Sequence, residues 1–162
     1  MERSFDMRID REGIWHHEGR PIARMPLVKL FASVLQRQSD ETYWLVTPVE
    51  RGRIEVEDVP FVIVELKTEG SGQSQMINVR SNLDEWVTIG PDHPLLLRRP
   101  PDALLTASPI PYVEIRTRLE GRLLRPVYYE LADLCEPYQR EGVTRYGVWS
   151  DGQFFTLDEH AH

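Results

Sequence analysis

A chain of 162 residues with 41% hydrophobic content can bury one sizeable core or two small ones in contact. Its 26 acidic and 19 basic residues leave a net charge of −7, which argues against non-specific nucleic-acid binding, an interaction that draws its affinity from neutralising phosphates. No run of about 18 apolar residues offers a spanning helix, and the start MERSFDMRID is too polar for a signal peptide, so a cytoplasmic protein without membrane insertion is expected.

The first expected element is a hairpin. Ile14 and Trp15 alternate with polar neighbours, Glu18-Gly19 supplies a turn and Pro21-Ile22 returns. Pro26 then starts a helix, where its missing N–H costs nothing, and Leu27, Leu30, Phe31, Val34 and Leu35 fall at helical spacing as far as about Gln38. Thr42 to Thr47 reads as a buried strand, Pro48 to Gly52 as a turn, and Arg53 to Glu57 as a strand that turns Ile54 and Val56 inward before Asp58-Val59-Pro60 breaks it. Phe61 to Thr68 is the strongest strand signal, apolar and mostly β-favouring. The polar stretch Glu69-Gly70-Ser71-Gly72-Gln73 marks a boundary between a unit over residues 1–70 and another over 71–162.

In the second half, Met76 to Val79, Glu85 to Ile89 and Leu95 to Arg98 read as a meander of three short strands. Pro100 to Pro109 is a loop with a helical turn at Asp102 to Leu105. Tyr112 to Thr117 returns as a strand, with Tyr112, Glu114 and Arg116 on one face and Val113, Ile115 and Thr117 on the other. Leu119 to Leu124 leads into a second helix over Pro126 to Cys135. A final hairpin pairs Arg145 to Trp149 with Gln153 to Leu157 around Ser150-Asp151-Gly152, whose Asp-Gly step favours a type I′ turn, and the tail Asp158 to His162 is expected to fray. About ten short strands and two helices, without regular alternation, indicate an α+β fold with antiparallel sheets.

Glu-Gly-Arg occurs twice, at Glu18-Gly19-Arg20 and Glu120-Gly121-Arg122. Each copy precedes an arginine, a proline, a helix-like pattern and a Tyr-led strand, first Tyr43-Trp44-Leu45-Val46 and later Tyr146-Gly147-Val148-Trp149. The shared order predicts two related small units, each of antiparallel sheet plus helix, facing each other across a cleft.

Candidate chemistry is sparse. The chain lacks a dinucleotide-type Gly-x-Gly-x-x-Gly, a P-loop and a Gly-x-Ser-x-Gly elbow. The single cysteine, Cys135, rules out an internal disulfide or a Cys-x-x-Cys site and is expected as a small buried hydrophobe beside Leu131 and Leu134. His16 and His17 point to opposite faces of a strand and His93 sits in a turn, so neither a metal nor a cofactor is expected. Of the basic residues only Lys29 and Lys67 are not arginine, and Arg116, Arg118, Arg122 and Arg125 cluster, with Arg98 and Arg99 nearby. One reading of this cluster is a salt-bridged β surface with Glu114 and Glu120. The sharper reading places Arg116, Arg122 and Arg125 with Tyr112, Tyr128 and Glu120 on the wall of a groove able to hold a phosphate and stack a ring. Tyr128 and Tyr129 are helical neighbours, so one of them must face away from the core. Arg24, Thr47, Glu50 and Asn82 stand at element ends, where binding groups sit, although capping explains them equally well. Trp15 and Trp149 are expected in the core, with an interface as the alternative.

The stretches IDREGIWHHEGRPIARMPLVKLFASVL, YWLVTPVERGRIEVEDVPF, SNLDEWVTIGPDHPL and PYVEIRTRLEGRLLRPVYYEL resemble an uncharacterised bacterial family, domain-of-unknown-function family 1285. The resemblance spans Ile9 to Leu134 and rests most specifically on Gly-x-Pro-Ile, Thr-Pro-x-Glu and Arg-x-Val-Tyr-Tyr-Glu-Leu. It implies a duplicated core whose C-terminal part is superficially like a pleckstrin-homology fold, and a nucleotide-like ligand held between the domains in signal transduction. It carries no catalytic residues over. The leading expectation is therefore a non-enzymatic regulatory module that binds an anionic small molecule and works with a signalling partner. The alternatives are an enzyme on a small phosphorylated or acidic substrate, with Glu120 or Glu130 as base and an arginine clamp, and a protein-interaction adaptor using a strand edge or an aromatic patch.

Overall fold

The computed structural model describes residues 2–101 and 108–157. The expected helical turn at Asp102 to Leu105 and the expected frayed tail lie outside the described residues.

The first sheet holds β1 (Glu2–Ile9), β2 (Trp15–His17), β3 (Arg20–Pro21), β4 (Leu35–Arg37), β5 (Tyr43–Val46) and β6 (Arg51–Val56), in the order β3-β2-β1-β6-β5-β4. The second holds β7 (Phe61–Glu69), β8 (Met76–Ser81), β9 (Trp86–Thr88), β10 (Leu95–Arg98), β11 (Ile110–Arg116) and β12 (Leu119–Leu123), in the order β10-β11-β12-β7-β8-β9. Read from its other edge, the second order repeats the first with every strand advanced by six. In each sheet the first and last strands of the set lie side by side and parallel, β1 with β6 and β12 with β7, while the remaining neighbours are antiparallel. The expectation of purely antiparallel sheets is thereby corrected. Parallel neighbours need a long connection, and here the other strands of the set supply it. Phe61–Glu69 precedes the boundary expected at Gly70 and stands at the centre of the second sheet.

The helices do not follow the six-strand repeat: α1 lies between β3 and β4, among the described residues no helix stands between their counterparts β9 and β10, and α2 comes after β12. The hairpin β2–β3 runs into α1 (Met25–Ser33) and the hairpin β11–β12 into α2 (Arg125–Asp133), each helix nine residues long with proline in its first turn, and each followed by a three-stranded meander. After α2 that meander is a separate sheet, β13 (Glu136–Arg140), β14 (Val143–Ser150) and β15 (Gln153–Thr156). The shared tripeptide does different work in its two copies. Glu18 and Gly19, at φ 52° and 80°, form the β2–β3 turn, whereas Glu120 to Arg122 lie inside β12 and the turn falls at Arg118, φ 62°. A Cβ on Gly121 would stand 2.9 Å from Ile63 Cδ1, so this glycine is there for the close parallel approach of β7.

One continuous core joins both sheets to Val28 and Ala32 of α1 and to Val127 and Leu131 of α2. Burying each large aliphatic side chain contributes about 1.5–3 kcal/mol. Trp15 lies in this core as expected, stacked on Phe31 with centroids 6.2 Å apart. The third sheet docks through buried polar groups. Ser150 Oγ donates to the Ile89 carbonyl at 2.6 Å and accepts from the Ile77 amide at 2.9 Å, and Gln75 Nε2 donates to the Trp149 carbonyl at 3.0 Å.

Two further expectations are corrected. Helix α1 stops at Ser33 instead of near Gln38, because Leu35 to Arg37 pair with Tyr43 to Leu45 and bury Leu35 as a strand residue. Cys135 is exposed, since α2 ends at Asp133 and leaves Cys135 in the turn to β13, off the helical face that was to bury it. Among the described residues no helix is long and apolar enough to cross a membrane, and no group of three His, Cys, Asp or Glu side chains could hold a metal ion.

Candidate functional site

The structure divides the eight nominated residues by what their polar atoms already do. Arg116 and Asn82 hold the two units together. Arg116 donates to Glu85 at 2.9 and 3.4 Å and to the carbonyl of Ala32, near the end of α1, at 2.9 Å. Asn82 Nδ2 donates to the Gly13 carbonyl at 3.1 Å while its Oδ1 accepts the Val62 amide at 3.2 Å. Beside Arg116 a clamp crosses the same seam. Arg118 donates to the Gln38 carbonyl at 2.9 Å and to Glu41 at 2.6 Å, and Glu41 also pairs with Arg37. Ser33, Arg37, Arg116 and Arg118 line a cleft of about 380 Å³ between the units. Its three guanidinium groups are engaged by carboxylates and carbonyls, so they serve the seam.

Tyr112, Glu120 and Arg122 meet in a buried polar network on the β10–β12 face. Tyr112 and Arg122 are direct cross-strand partners, and both reach Asp58, which follows β6. The Tyr112 hydroxyl donates at 2.9 Å, and Arg122 Nε lies 3.4 Å away. Arg122 also donates to the Arg11 carbonyl of the first unit. Tyr112 is fully buried, with Arg98 over its ring at 5.4 Å, so it cannot stack a ligand. Burial, followed by the charge of Asp58, pushes its phenol well above the usual range and keeps it a neutral donor. Glu120, 4% exposed, receives Arg98 at 2.5 Å on one oxygen, while Oε1 has no hydrogen-bond partner among the described residues. Burial raises its carboxyl against the opposing charges of Arg98 and Arg37, and Glu114 directly across the ladder adds to the rise. Glu120 lines neither the seam cleft nor the cavity beside α2, which leaves it without reach to a substrate there.

Arg122, Arg125 and Tyr128 come together at that second cavity, about 270 Å³, completed by Ile110, Leu123 and Tyr129. The fold places them by simple means. β12 delivers Arg122 and Leu123 to its C-terminal end, the Leu124 amide bonds the Ile63 carbonyl, and α2 begins at once, so its first two turns form the other wall. Leu124, at the N-cap position, gives the helix no side-chain cap, and the first turn contains no acidic residue. Arg125 sits instead at this positive helix end, exposed and without a hydrogen bond or ion pair among the described residues. Tyr128 and Tyr129 stack with centroids 6.2 Å apart, Tyr129 being the exposed one. An uncapped helix start, the guanidinium of Arg125 and two phenol rings make a surface suited to an anion carrying a planar group, with Arg122 held beside it by Asp58 and the Arg11 carbonyl.

Arg24 stands apart as the N-cap of α1, exposed and far along the chain from the other nominated groups. His93 is half-buried and its Nδ1 lies 3.0 Å from the Glu114 carbonyl, a turn-fixing contact. A further cavity, of about 450 Å³, lies over β7–β9 between Lys67 and Trp86. Its polar groups satisfy one another, with Lys67 over the Trp86 ring at 5.2 Å and Asn78 bonded to Thr88 and Glu69. Tyr129 and Asp58 were not nominated from sequence. Tyr129 needed only the choice of which phenol faces outward, but Asp58 read as a strand breaker and carried no further signal.

Comparison with known proteins agrees with this architecture. Residues 1–59 match the domain of unknown function DUF1285, N-terminal domain, and residues 60–157 match the protein of unknown function DUF1285, C-terminal domain. The chain is similar to the crystal structure of a DUF1285 family protein from Silicibacter pomeroyi DSS-3, with 37% identity and TM-score 0.85 over 96% of this chain and 80% of that one. It is also similar to a DUF1285 family protein from Shewanella baltica OS155, with 27% identity and TM-score 0.60 over 80% of this chain and 91% of that one. No curated protein matches the chain.

Proposed function

Because the chain belongs to the DUF1285 family, whose description assigns no activity, we propose its function from its own geometry: a regulatory module that binds a small anion bearing a planar group, such as a nucleotide, at the cavity beside the start of α2. A single observation carries this reading. Arg125 holds its charge at an uncapped, positive helix end without a partner among the described residues, next to Arg122 and two phenol rings. A like charge at that end is unfavourable, and an anion would relieve it while accepting the open amides. Arg122 extends from the cavity to the Arg11 carbonyl of the first unit, which gives a bound anion a route to the seam and supports regulation over catalysis. With this goes the reading of the C-terminal unit as pleckstrin-homology-like, supported by a mainly antiparallel sheet with one helix against its central strand β7, and of a cytoplasmic protein acting in signalling.

Titration calorimetry with adenosine monophosphate and with inorganic pyrophosphate tests the proposal. Binding is expected for at least one of them, with a stabilisation of about 2.7 kcal/mol at 100 times Kd. Arg125→Ala should weaken it about tenfold through loss of a charge-assisted hydrogen bond. Failure of both anions to bind, or affinity unchanged in Arg125→Ala, overturns the reading.

A further inference from the structure

The outer face of the third sheet carries a second cluster that the α2 cavity does not use. Tyr138 of β13, Trp149 of β14 and Phe154 of β15 stand side by side, one from each strand, with centroids 4.9, 5.0 and 5.3 Å apart. Trp149 and Phe154 are direct cross-strand partners. Strand alternation sends their neighbours Val148 and Phe155 into the core, so the three rings face outward and are half-buried mainly by one another. Trp149 thus departs from the core position expected for it.

Two cations flank the rings. Arg145 lies directly opposite Tyr138, and Arg140, two residues on from Tyr138, shares its face. Neither forms a hydrogen bond or ion pair among the described residues, in a chain of net charge −7 where Arg8, Arg37, Arg80, Arg98, Arg116 and Arg118 are all ion-paired. Two of the rings, Tyr138 and Phe154, line a cavity of about 220 Å³ with both arginines, and Glu141 is the one carboxylate in its lining.

We infer that this face docks an acidic segment of a protein partner, which seats one bulky apolar side chain against Tyr138 and Phe154, beside Trp149, and pairs its carboxylates with Arg140 and Arg145. Three features select that occupant. Tyr, Trp, Phe and Arg gathered on one patch is the composition of the energetic centre of a protein interface. Backbone amides of a sheet lie in its plane and not on its face, so none is presented here to cradle a phosphate. Proline at position 137, in the edge strand β13, removes an amide there and disfavours strand addition, so the partner comes onto the face.

The test uses the full ¹⁵N-labelled chain and a short synthetic peptide of Asp and Glu around a central Trp. Control peptides replace the acidic residues with Lys, or the Trp with Ala. Only the acidic Trp peptide should shift the Trp149 indole and Arg145 amide resonances. Combined Arg140→Glu and Arg145→Glu should weaken it at least about tenfold, and Arg125→Ala should leave it unchanged, which separates this surface from the α2 cavity. Arg140 is exposed, Arg145 is half-buried, and both are unpaired among the described residues, so the double variant should melt close to the wild type. If charge reversal unfolds it, Arg140→Gln with Arg145→Gln serves in its place. The inference is overturned if the acidic peptide does not bind, if the Lys peptide binds equally well, if the double variant keeps full affinity, or if adenosine monophosphate shifts the same resonances more strongly.

Discussion

Arg116→Ala separates a seam residue from a ligand-binding one. The substitution removes the pair of contacts to Glu85 and the bond to the Ala32 carbonyl, and it uncovers Phe61, whose ring lies 5.7 Å below the guanidinium. The charge-assisted bond to the carbonyl is worth about 1.5 kcal/mol. The ion pair is 38% and 31% exposed on its two sides, which screens it to roughly 0.5–1 kcal/mol. The cation–π contact adds about 0.5 kcal/mol. The expected loss is therefore about 2.5–3 kcal/mol, and at roughly 2–4 °C per kcal/mol for a chain of this size the melting temperature should fall by about 5–12 °C. Calorimetric melts of Arg116→Ala, Glu85→Ala and the double variant measure it, with a coupling of about 0.5–1 kcal/mol between the two sites. Melting within about 1 °C of wild type refutes the seam assignment, since only surface substitutions away from such contacts are that mild. Loss of anion binding by a variant that stays folded would move Arg116 into the ligand site.

The remaining predictions concern Glu120 and Cys135. Because burial raises the Glu120 carboxyl above its ordinary value of 4.5, the folded state holds this proton more tightly than the unfolded one. The contribution to stability is then full below pH 4.5 and is lost as pH rises through the raised folded value. Glu120→Gln removes that loss. Parallel melts should show no advantage for the variant near pH 4 and a higher melting temperature than wild type at pH 7, while Arg98, 40% exposed, stays solvated. A gain independent of pH, or a net loss at pH 7, contradicts the argument. Cys135, exposed beyond the end of α2, should react with iodoacetamide in the native protein nearly as fast as in the denatured one; strong native protection would return it to the interior.

Residues whose patterns are local announced themselves. Pro26 and Pro126 place the helix starts, Asp151-Gly152 gives the left-handed turn at φ 52° and 77°, and the apolar run from Phe61 marks a central strand. What failed was decided by pairing at a distance. Leu35 continued the helical period of α1, yet Leu45 across the ladder claimed it for β4. The alternation Phe5, Met7, Ile9 in β1 is clean but begins before any turn signal, and its partner β6 lies over forty residues away. The arginines between Arg116 and Arg125 look equivalent in sequence, and their roles separate only through distant acceptors: Ala32 of the first unit and Glu85 of their own for Arg116, Asp58 and Arg11 of the first unit for Arg122, nothing among the described residues for Arg125. Composition cannot show which guanidinium has its acceptors supplied from elsewhere, so the cluster was legible and the division of labour within it was not.

The central parallel pairs also order the birth of the molecule. As the chain leaves the ribosome, β1 lacks its central neighbour until residue 56 has been made, and β7 lacks its own until residue 123. Each unit is an open sheet whose last strand joins its two halves at the centre, and nothing after Val56 is needed to complete the first set of ladders. Vectorial synthesis therefore meets two separate closures, with N-terminal elements settling first. The β13–β15 sheet comes last and adds to a finished platform, its Ser150 reaching Ile77 and Ile89 that earlier synthesis has already put in place.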